Sequence, residues 1–158
     1  PDTVGPGTRK TAAVAIPAYQ DYTVKSKVTE GTSLATPGMT SMGVACSEGT
    51  MSQTSANYNS TIGIASSASI TGKYTASVLA KLTQAQTGTT PGIGTVTVTF
   101  NTVIPAVSGE CYTYIGSCAS GVGMTWAVVQ NDSSGSTTGA VGTKCGSVGF
   151  ANKFLPKL

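Results

Sequence analysis

The chain has 158 residues, of which 9% are charged and 39% are hydrophobic, and its formal net charge is +3 at pH 7. This length predicts one domain with a single hydrophobic core, and the hydrophobic content excludes an intrinsically disordered chain. So small a positive charge, spread over scattered lysines, does not by itself indicate a nucleic-acid-binding protein.

The cysteines set the expected chemical environment. The chain has four cysteines and no histidine, which indicates two disulfide bonds formed in an oxidising compartment such as a periplasm or a cell surface. No Cys-x-x-Cys pair occurs and no histidine could complete a mixed zinc site, so no metal and no other cofactor is predicted. The sequence also lacks a run of about eighteen apolar residues, so none of it is predicted to span a bilayer.

The chain divides into a short leader and one predicted domain. Residues 1–11, PDTVGPGTRKT, contain two prolines, two glycines and no apolar period, which is typical of a linker or a tag remnant. The domain is predicted over residues 12–158. Its abrupt start indicates that a preceding segment has been cut away. Within it we expect a helix over about 12–46, a connecting loop over about 47–72, and a sheet with a C-terminal loop region over 73–158.

The predicted helix rests on an apolar stripe. Apolar or small residues recur at steps of three, four and seven along one helical face, at Val24, Val28, Gly31, Ala35, Met42 and Cys46. Two prolines interrupt the segment. Pro17 fits either the start of a helix or a bend in a longer one. Pro37 removes a backbone donor and crowds the preceding turn, so local rules favour a helix end near Thr36.

The chain after Glu48 changes to a polar loop and then to strands. One short strand is predicted at about residues 60–65. The apolar period then becomes two over residues 74–82 and again over 95–100, where threonine alternates with valine and phenylalanine. The intervening QTGTTPGIG is rich in turn residues, which predicts an antiparallel hairpin.

Two further strands complete the predicted sheet. One is expected at residues 124–130, with Trp126 and Val128 facing the core, and a weaker one at about 145–150. A helix followed by a meander of strands indicates an α+β fold, in which the sheet covers one face of the helix.

At this point the chain resembles a known family. Residues 15–22, AIPAYQDY, and the following TVKSKVTEG resemble the segment of type IVa pilins that comes just after their hydrophobic N-terminal half-helix. Three later segments also resemble these pilins, above all those of Pseudomonas: Gly72-Lys73-Tyr74, Thr125-Trp126 and Lys153-Phe154-Leu155-Pro156-Lys157. The match is specific in the first quarter of the chain and diffuse elsewhere.

The resemblance implies the type IV pilin fold, a long N-terminal α-helix packed against a four-stranded antiparallel β-sheet. In this family a proline such as Pro37 occurs as a gentle kink, so we extend the expected helix to about Cys46. It further implies that an apolar half-helix with a methylated phenylalanine precedes this segment. Without it the fragment is expected to stay a soluble monomer, with Val14, Ile16 and Tyr19 partly exposed.

The implied function is that of a structural subunit of a type IV pilus fibre that supports adhesion and twitching motility. Its partners would be other pilin subunits, joined through the missing half-helix, and host-cell receptors or surfaces. The full-length precursor would be anchored in the inner membrane with this domain in the periplasm, before assembly into the extracellular fibre.

A second hypothesis is a minor pilin or pilus-tip module that binds DNA or a host receptor. Its candidate contact residues form a basic and aromatic cluster in the sequence: Lys144, Lys153, Phe154 and Lys157. A calcium-binding pseudopilin is a third option, but Asp132 is the only acidic residue in the late part of the chain where such proteins cluster theirs.

An enzyme is not predicted. Without histidine, catalysis would depend on cysteine, lysine, tyrosine, serine or carboxylates, and the six carboxylates are scattered along the chain without a pairing motif. The glycines around Ile93 lack the context of a nucleotide-binding loop and indicate a turn instead.

Four cysteines allow three pairings. We favour Cys111–Cys118 with Cys46–Cys145, because Gly116 could give a turn that brings the first pair together and the second would tie the C-terminal region to the helix. The rival is Cys118–Cys145 with Cys46–Cys111, which closes a loop more like the C-terminal D-region of the pilins. The family places its last cysteine after the Phe-Leu-Pro-Lys-like stretch, where this chain has Leu158.

Overall fold

The computed structural model describes residues 9–130 and 150–158. Within these ranges the chain forms one helix, α1 (Arg9–Ser47), and four strands, β1 (Thr75–Gln84), β2 (Gly92–Phe100), β3 (Cys111–Ala119) and β4 (Gly123–Gln130). The strands form one antiparallel sheet in the order β1-β2-β3-β4, and α1 packs against it. The predicted α+β architecture, one long N-terminal helix on a four-stranded antiparallel sheet, is confirmed.

The predicted division into a leader over 1–11 and one domain over 12–158 stays a prediction, although α1 itself begins at Arg9. In the two described ranges, no helix combines the length and the apolar character that crossing a membrane requires.

α1 continues through both of its prolines, Pro17 and Pro37. The prediction of an unbroken helix through Pro37 is therefore confirmed, and the end near Thr36 that local rules favour is not observed. A proline inside a helix costs about 3 kcal/mol. The helix beyond Pro37 offsets this cost because Met42 and Cys46 are buried in the core, and a fully buried side chain the size of methionine contributes about 1.5–3 kcal/mol.

The sheet follows the predicted strands with one addition. β1 and β2 form the predicted antiparallel hairpin, with Val78 opposite Val98. β4 is the strand predicted at 124–130, and its Trp126 and Val128 pack, half-buried, against the core. β3 is not among the predicted strands, yet it lies between β2 and β4 and pairs with both. The strand predicted at about 145–150 falls almost entirely outside the described residues.

α1 comes close to the sheet where glycine leaves room. A Cβ atom added to Gly31 would lie 2.7 Å from Cγ1 of Val98, and one added to Gly94 would lie 2.5 Å from Sδ of Met42. Because neither position has space for a side chain, these two glycines set how closely the helix and the sheet approach. This packing explains why Gly31 belongs to the apolar stripe predicted from sequence.

The loop between α1 and β1 corrects one prediction. The strand expected at about 60–65 is absent, and residues 59–63 form a turn instead. Gly63 has a φ of +73°, a left-handed conformation that glycine adopts at little cost. The apolar alternation of Ile62 and Ile64 therefore marks two residues that pack on the core from a turn.

One side chain anchors this loop to β1. Asn59 is fully buried, and its Nδ2 donates to the carbonyl oxygens of Ala65 and Val78, at 2.8 and 3.1 Å. Its Oδ1 accepts a hydrogen bond of 2.7 Å from the backbone N–H of Ala80. The amide thus satisfies three backbone groups on two different segments.

The disulfide pairing corrects both sequence-based alternatives. Cys46, near the end of α1, is bonded to Cys118 on β3, with 5.7 Å between their Cα atoms. The favoured Cys111–Cys118 bond is wrong because both residues lie on β3, where seven residues of extended chain span about 23 Å. The rival is wrong as well, since it assigned both cysteines of the observed bond to other partners. Cys111 is also disulfide-bonded, and Cys145 lies outside the described residues.

Three hydroxyl groups meet between α1 and β3. The Tyr112 and Tyr114 hydroxyl oxygens lie 3.2 and 3.1 Å from Thr32 Oγ1, within hydrogen-bonding distance. Burial raises the pKa of Tyr112 far above its ordinary value of 10.0. The folded state therefore disfavours the phenolate, whereas the unfolded chain loses this proton near pH 10.

This difference makes the stability of the protein sensitive to alkali. The contribution of Tyr112 is complete below pH 10 and is lost as the pH rises above its unfolded pKa. We expect the free energy of unfolding, measured by urea titration from about pH 9 to about pH 11, to fall less steeply in Tyr112→Phe than in the parent protein. Tyr22→Phe, at an exposed position, is the matched control. A slope in Tyr112→Phe as steep as the parent's would contradict the assignment.

Candidate assembly surface

The C-terminal cluster proposed for DNA or receptor contact is not presented as one surface. Phe154 is only 4% exposed and packs in the core, where it cannot stack on a base. Lys153 Nζ lies 2.8 and 2.9 Å from the two carboxylate oxygens of Asp21. Lys157 is exposed, and Lys144 lies outside the described residues. A contact role for this cluster stays a prediction, without the stacking that Phe154 was expected to provide.

The N-terminal part of α1 stands clear of the sheet. Residues 16–20 are all exposed, and the large side chains of Ile16, Tyr19 and Tyr22 are 60%, 74% and 72% exposed. The predicted exposure of Ile16 and Tyr19 is confirmed, while the side chain of Val14 is not described. Exposed large apolar groups this close together mark an interaction surface.

The rest of the helix continues this exposed surface, but with mostly hydroxyl side chains in place of large apolar ones. The outer face of α1, defined here as the exposed residues that point away from the sheet, has members three or four positions apart: Tyr19, Tyr22, Ser26, Thr29, Ser33, Thr36, Thr40, Val44 and Ser47. None of these residues carries a charge, and the exposed Lys25 lies at the edge of the face. Such spacing keeps them on one side of a helix along its whole length.

Most hydroxyl groups of the outer face already have a hydrogen-bond partner within the helix. Five of them donate to backbone carbonyls of the same helix three or four residues earlier: those of Ser26, Thr29, Ser33, Thr36 and Ser47. A donor that keeps its hydrogen bond can lose contact with water at little cost, whereas one left without a partner cannot. The outer face is therefore suited to being covered by another protein surface.

Sequence reasoning missed this face, although the sequence contained a signal for it. Serine and threonine recur at Ser26, Thr29, Ser33, Thr36 and Thr40 with the same helical spacing as the apolar stripe. The predicted helix rests on its apolar positions alone, and no role is predicted for its hydroxyl residues.

A second surface feature is an apolar groove. This groove, called here the C-terminal groove, has a volume of about 790 Å³ and lies between α1, the 3-10 turn at Pro105–Val107 and the C-terminal turn at Asn152–Phe154. Its apolar lining includes Val24, Ile104 and Ala106. The Lys153–Asp21 ion pair connects the C-terminal turn to α1 at the same place.

Three ionisable groups on or near α1 make structural contacts. Glu30 Oε2 accepts a hydrogen bond of 3.0 Å from the backbone N–H of Tyr74, which fixes the approach to β1. The Nζ atoms of Lys27 and Lys73 each lie 5.5 Å from the centre of the Tyr74 ring. Within the described ranges, no group of three or more histidine, cysteine, aspartate or glutamate residues is arranged to hold a metal ion.

A family comparison adds independent information. Residues 24–158 match the family described as Pilin, a bacterial filament protein. The matched region contains most of α1 and the whole described sheet. The features to be explained are therefore an uncharged outer face, an exposed apolar helix end and an apolar groove, on a domain of the filament-forming type.

Proposed function

The chain belongs to the pilin family of bacterial filament proteins, and from this premise we propose that it is the major subunit of a type IV pilus and supports adhesion and twitching motility. Membership of the family by itself implies a structural subunit that assembles with other pilins into an extracellular fibre. The role as the major subunit, and the support of adhesion and twitching motility, are our proposal. The observation that supports this proposal most is the outer face of α1.

The outer face has the properties that a repeated subunit contact needs. It is exposed along α1, carries no charge, and has most of its hydroxyls bonded to the helix itself. Burial of such a face against neighbouring subunits would remove apolar groups and already hydrogen-bonded hydroxyls from water. It would not leave a charged group buried without a partner. The exposed rings of Tyr19 and Tyr22 extend the same surface toward the helix N-terminus. Aromatic side chains of this size contribute strongly when an interface covers them.

The hypothesis of a tip module that binds DNA gains no support of this kind. Its aromatic member, Phe154, is buried, and Lys153 is paired with Asp21. We therefore do not carry it as a second proposal.

Electron microscopy of cells without the gene tests the main proposal. A major subunit is required for every filament, so we expect deletion to abolish all surface filaments and the wild-type gene to restore them. The same strain should lose twitching zones on agar and attach poorly to surfaces. Filaments that persist in normal number after deletion would show that the protein is not the major subunit.

A charge placed on the outer face makes the test specific. Ser33→Glu introduces a good helix former at an exposed position, so the domain should fold normally. In the filament the new carboxylate would be buried without a partner, which costs several kcal/mol, and we expect filaments to be nearly absent. Ala127→Glu adds the same charge at an exposed position of β4 and should assemble normally. Normal assembly of Ser33→Glu would show that this face is not buried between subunits.

A further inference from the structure

The turn between β3 and β4 projects from the molecule with an apolar tip. Its ends are the paired residues Ala119 and Gly123, and the backbone N–H of Val122 closes it by donating to the carbonyl of Ala119 at 3.2 Å. Val122 is 73% exposed. The Cys46–Cys118 bond holds this turn beside the C-terminal end of α1.

The surroundings of the turn carry a negative charge, that of Glu48. A pocket lies between the turn and the end of α1, and among its lining residues in the described part of the chain Glu48 alone is charged. The last turn of α1 contains no basic residue. The backbone dipoles of α1 therefore add a partial negative charge at this end, which no basic side chain of the last turn offsets.

The C-terminal groove lies toward the other end of the domain. Along α1, the groove residue Val24 is separated from Cys46 by 22 positions, or about 33 Å of helix. The groove has an apolar floor, and the charged residues that line it within the described ranges are two lysines, Lys27 and Lys153, and one carboxylate, Asp21. Its excess charge is therefore positive, opposite to that around the turn.

We propose that the β3–β4 turn of one subunit docks in the C-terminal groove of the next subunit, with Val122 in the apolar floor and Glu48 toward the groove lysines. The inference deepens the proposed function, because it names a contact surface within the same filament. The occupant is a second copy of this chain. Two observations identify it: the apolar tip and the apolar groove are both exposed, and their flanking charges are opposite.

The geometry of the contact also suits a filament. The two surfaces are different and lie far apart on one molecule, so the contact is head-to-tail. Contacts of this kind do not saturate in a dimer but repeat, and they generate open helical filaments when the rotation between subunits does not close a ring. The turn and the groove would thus contribute along the filament, in addition to the outer face of α1.

Site-specific photo-crosslinking tests this contact. Val122 is replaced by the photoreactive residue p-benzoylphenylalanine in cells that assemble filaments, and the sheared filaments are irradiated. We expect a ladder of covalent multimers, with mass spectrometry locating the crosslinks at residues 19–27, 104–106 or 151–154 of a second chain. The same photoreactive residue at Ala127, which is also exposed but lies on β4, is the matched control and should not reach these segments.

A second probe position keeps the experiment decisive. If the large residue at position 122 prevents assembly, the probe is placed at Ser120, an exposed neighbour in the same turn. Normal filaments in which either probe crosslinks elsewhere, or not at all, overturn the docking contact and leave the proposed function intact. Filaments in which mass spectrometry does not find this chain overturn the proposed function itself, and the docking contact with it.

Discussion

Removal of the Cys46–Cys118 bond should lower the free energy of unfolding by about 4 kcal/mol. The bond closes a loop with a sequence separation of 72, and loop-closure entropy in the unfolded chain predicts a loss of this order. Small domains have about 5–15 kcal/mol of stability in total. The Cys46→Ala, Cys118→Ala double variant should therefore unfold at a much lower urea concentration than the parent protein.

The matched control is Ser47→Ala with Ser120→Ala, which changes two exposed neighbours and leaves the bond intact. Exposed substitutions of this kind usually change stability by less than about 0.5 kcal/mol. Alanine is chosen over serine at the cysteine positions because both cysteines are buried, and a buried hydroxyl without a partner would add its own cost. A double alanine variant as stable as the control would show that the bond contributes little.

Asn59→Ala should be almost as damaging. The substitution leaves the carbonyls of Ala65 and Val78 and the N–H of Ala80 without the partner that Asn59 provides. Each buried backbone group that loses its partner costs about 1–3 kcal/mol, and because the bond to Ala65 is only partly buried we expect the lower half of the summed range, about 3–5 kcal/mol, in urea unfolding. The loop between α1 and β1 should then open first, which proteolysis of the native protein would detect as earlier cleavage.

Asn57→Ala is the matched control, since it makes the same chemical change two residues away at an exposed position. Asn59→Asp distinguishes the contribution of the side chain's size from that of its amide hydrogen bonds. It keeps the size of the side chain but turns a donor into an acceptor that faces two carbonyl oxygens. If Asn59→Asp were as stable as the parent protein at neutral pH, the amide donor would not be what anchors the loop.

The elements that the sequence could predict are those with one buried face. The stripe from Val24 to Cys46 keeps its phase through Pro37, and the alternation in β1 and β2 keeps one side apolar. These apolar periods are visible in the sequence because one face of each element packs against the core and needs apolar residues, while the other face contacts water. This is why α1, the hairpin and β4 were all foreseeable.

β3 lacks such a period for a physical reason. Its first four residues, from Cys111 to Tyr114, are all buried, so both faces of the strand are covered there. A strand that is buried on both faces has no alternation of apolar and polar residues. The glycine and the cysteines in this segment are also typical of a loop, so the strand was not predicted. The error in the disulfide pairing followed from this one, because a loop could have joined Cys111 to Cys118 and a strand cannot.

The candidate surfaces were less predictable than the fold. The exposure of Tyr19 could be expected from the resemblance to pilins, and it is observed. The burial of Phe154 could not, because it depends on where the chain end returns to α1. The C-terminal groove is formed by segments far apart in sequence, around residues 24, 105 and 153, so no local pattern could indicate it.

The Cys46–Cys118 bond also determines how the domain would respond to pulling. Tension that enters along α1 and leaves through β4 crosses from Cys46 to Cys118 by a covalent link. The residues between the two cysteines are bypassed, and roughly 240 Å of extended chain stays locked inside the closed loop. β1 and β2 lie within that loop, so most of the sheet does not bear the applied force. A subunit stretched within a fibre can therefore lengthen only through the segments outside this loop.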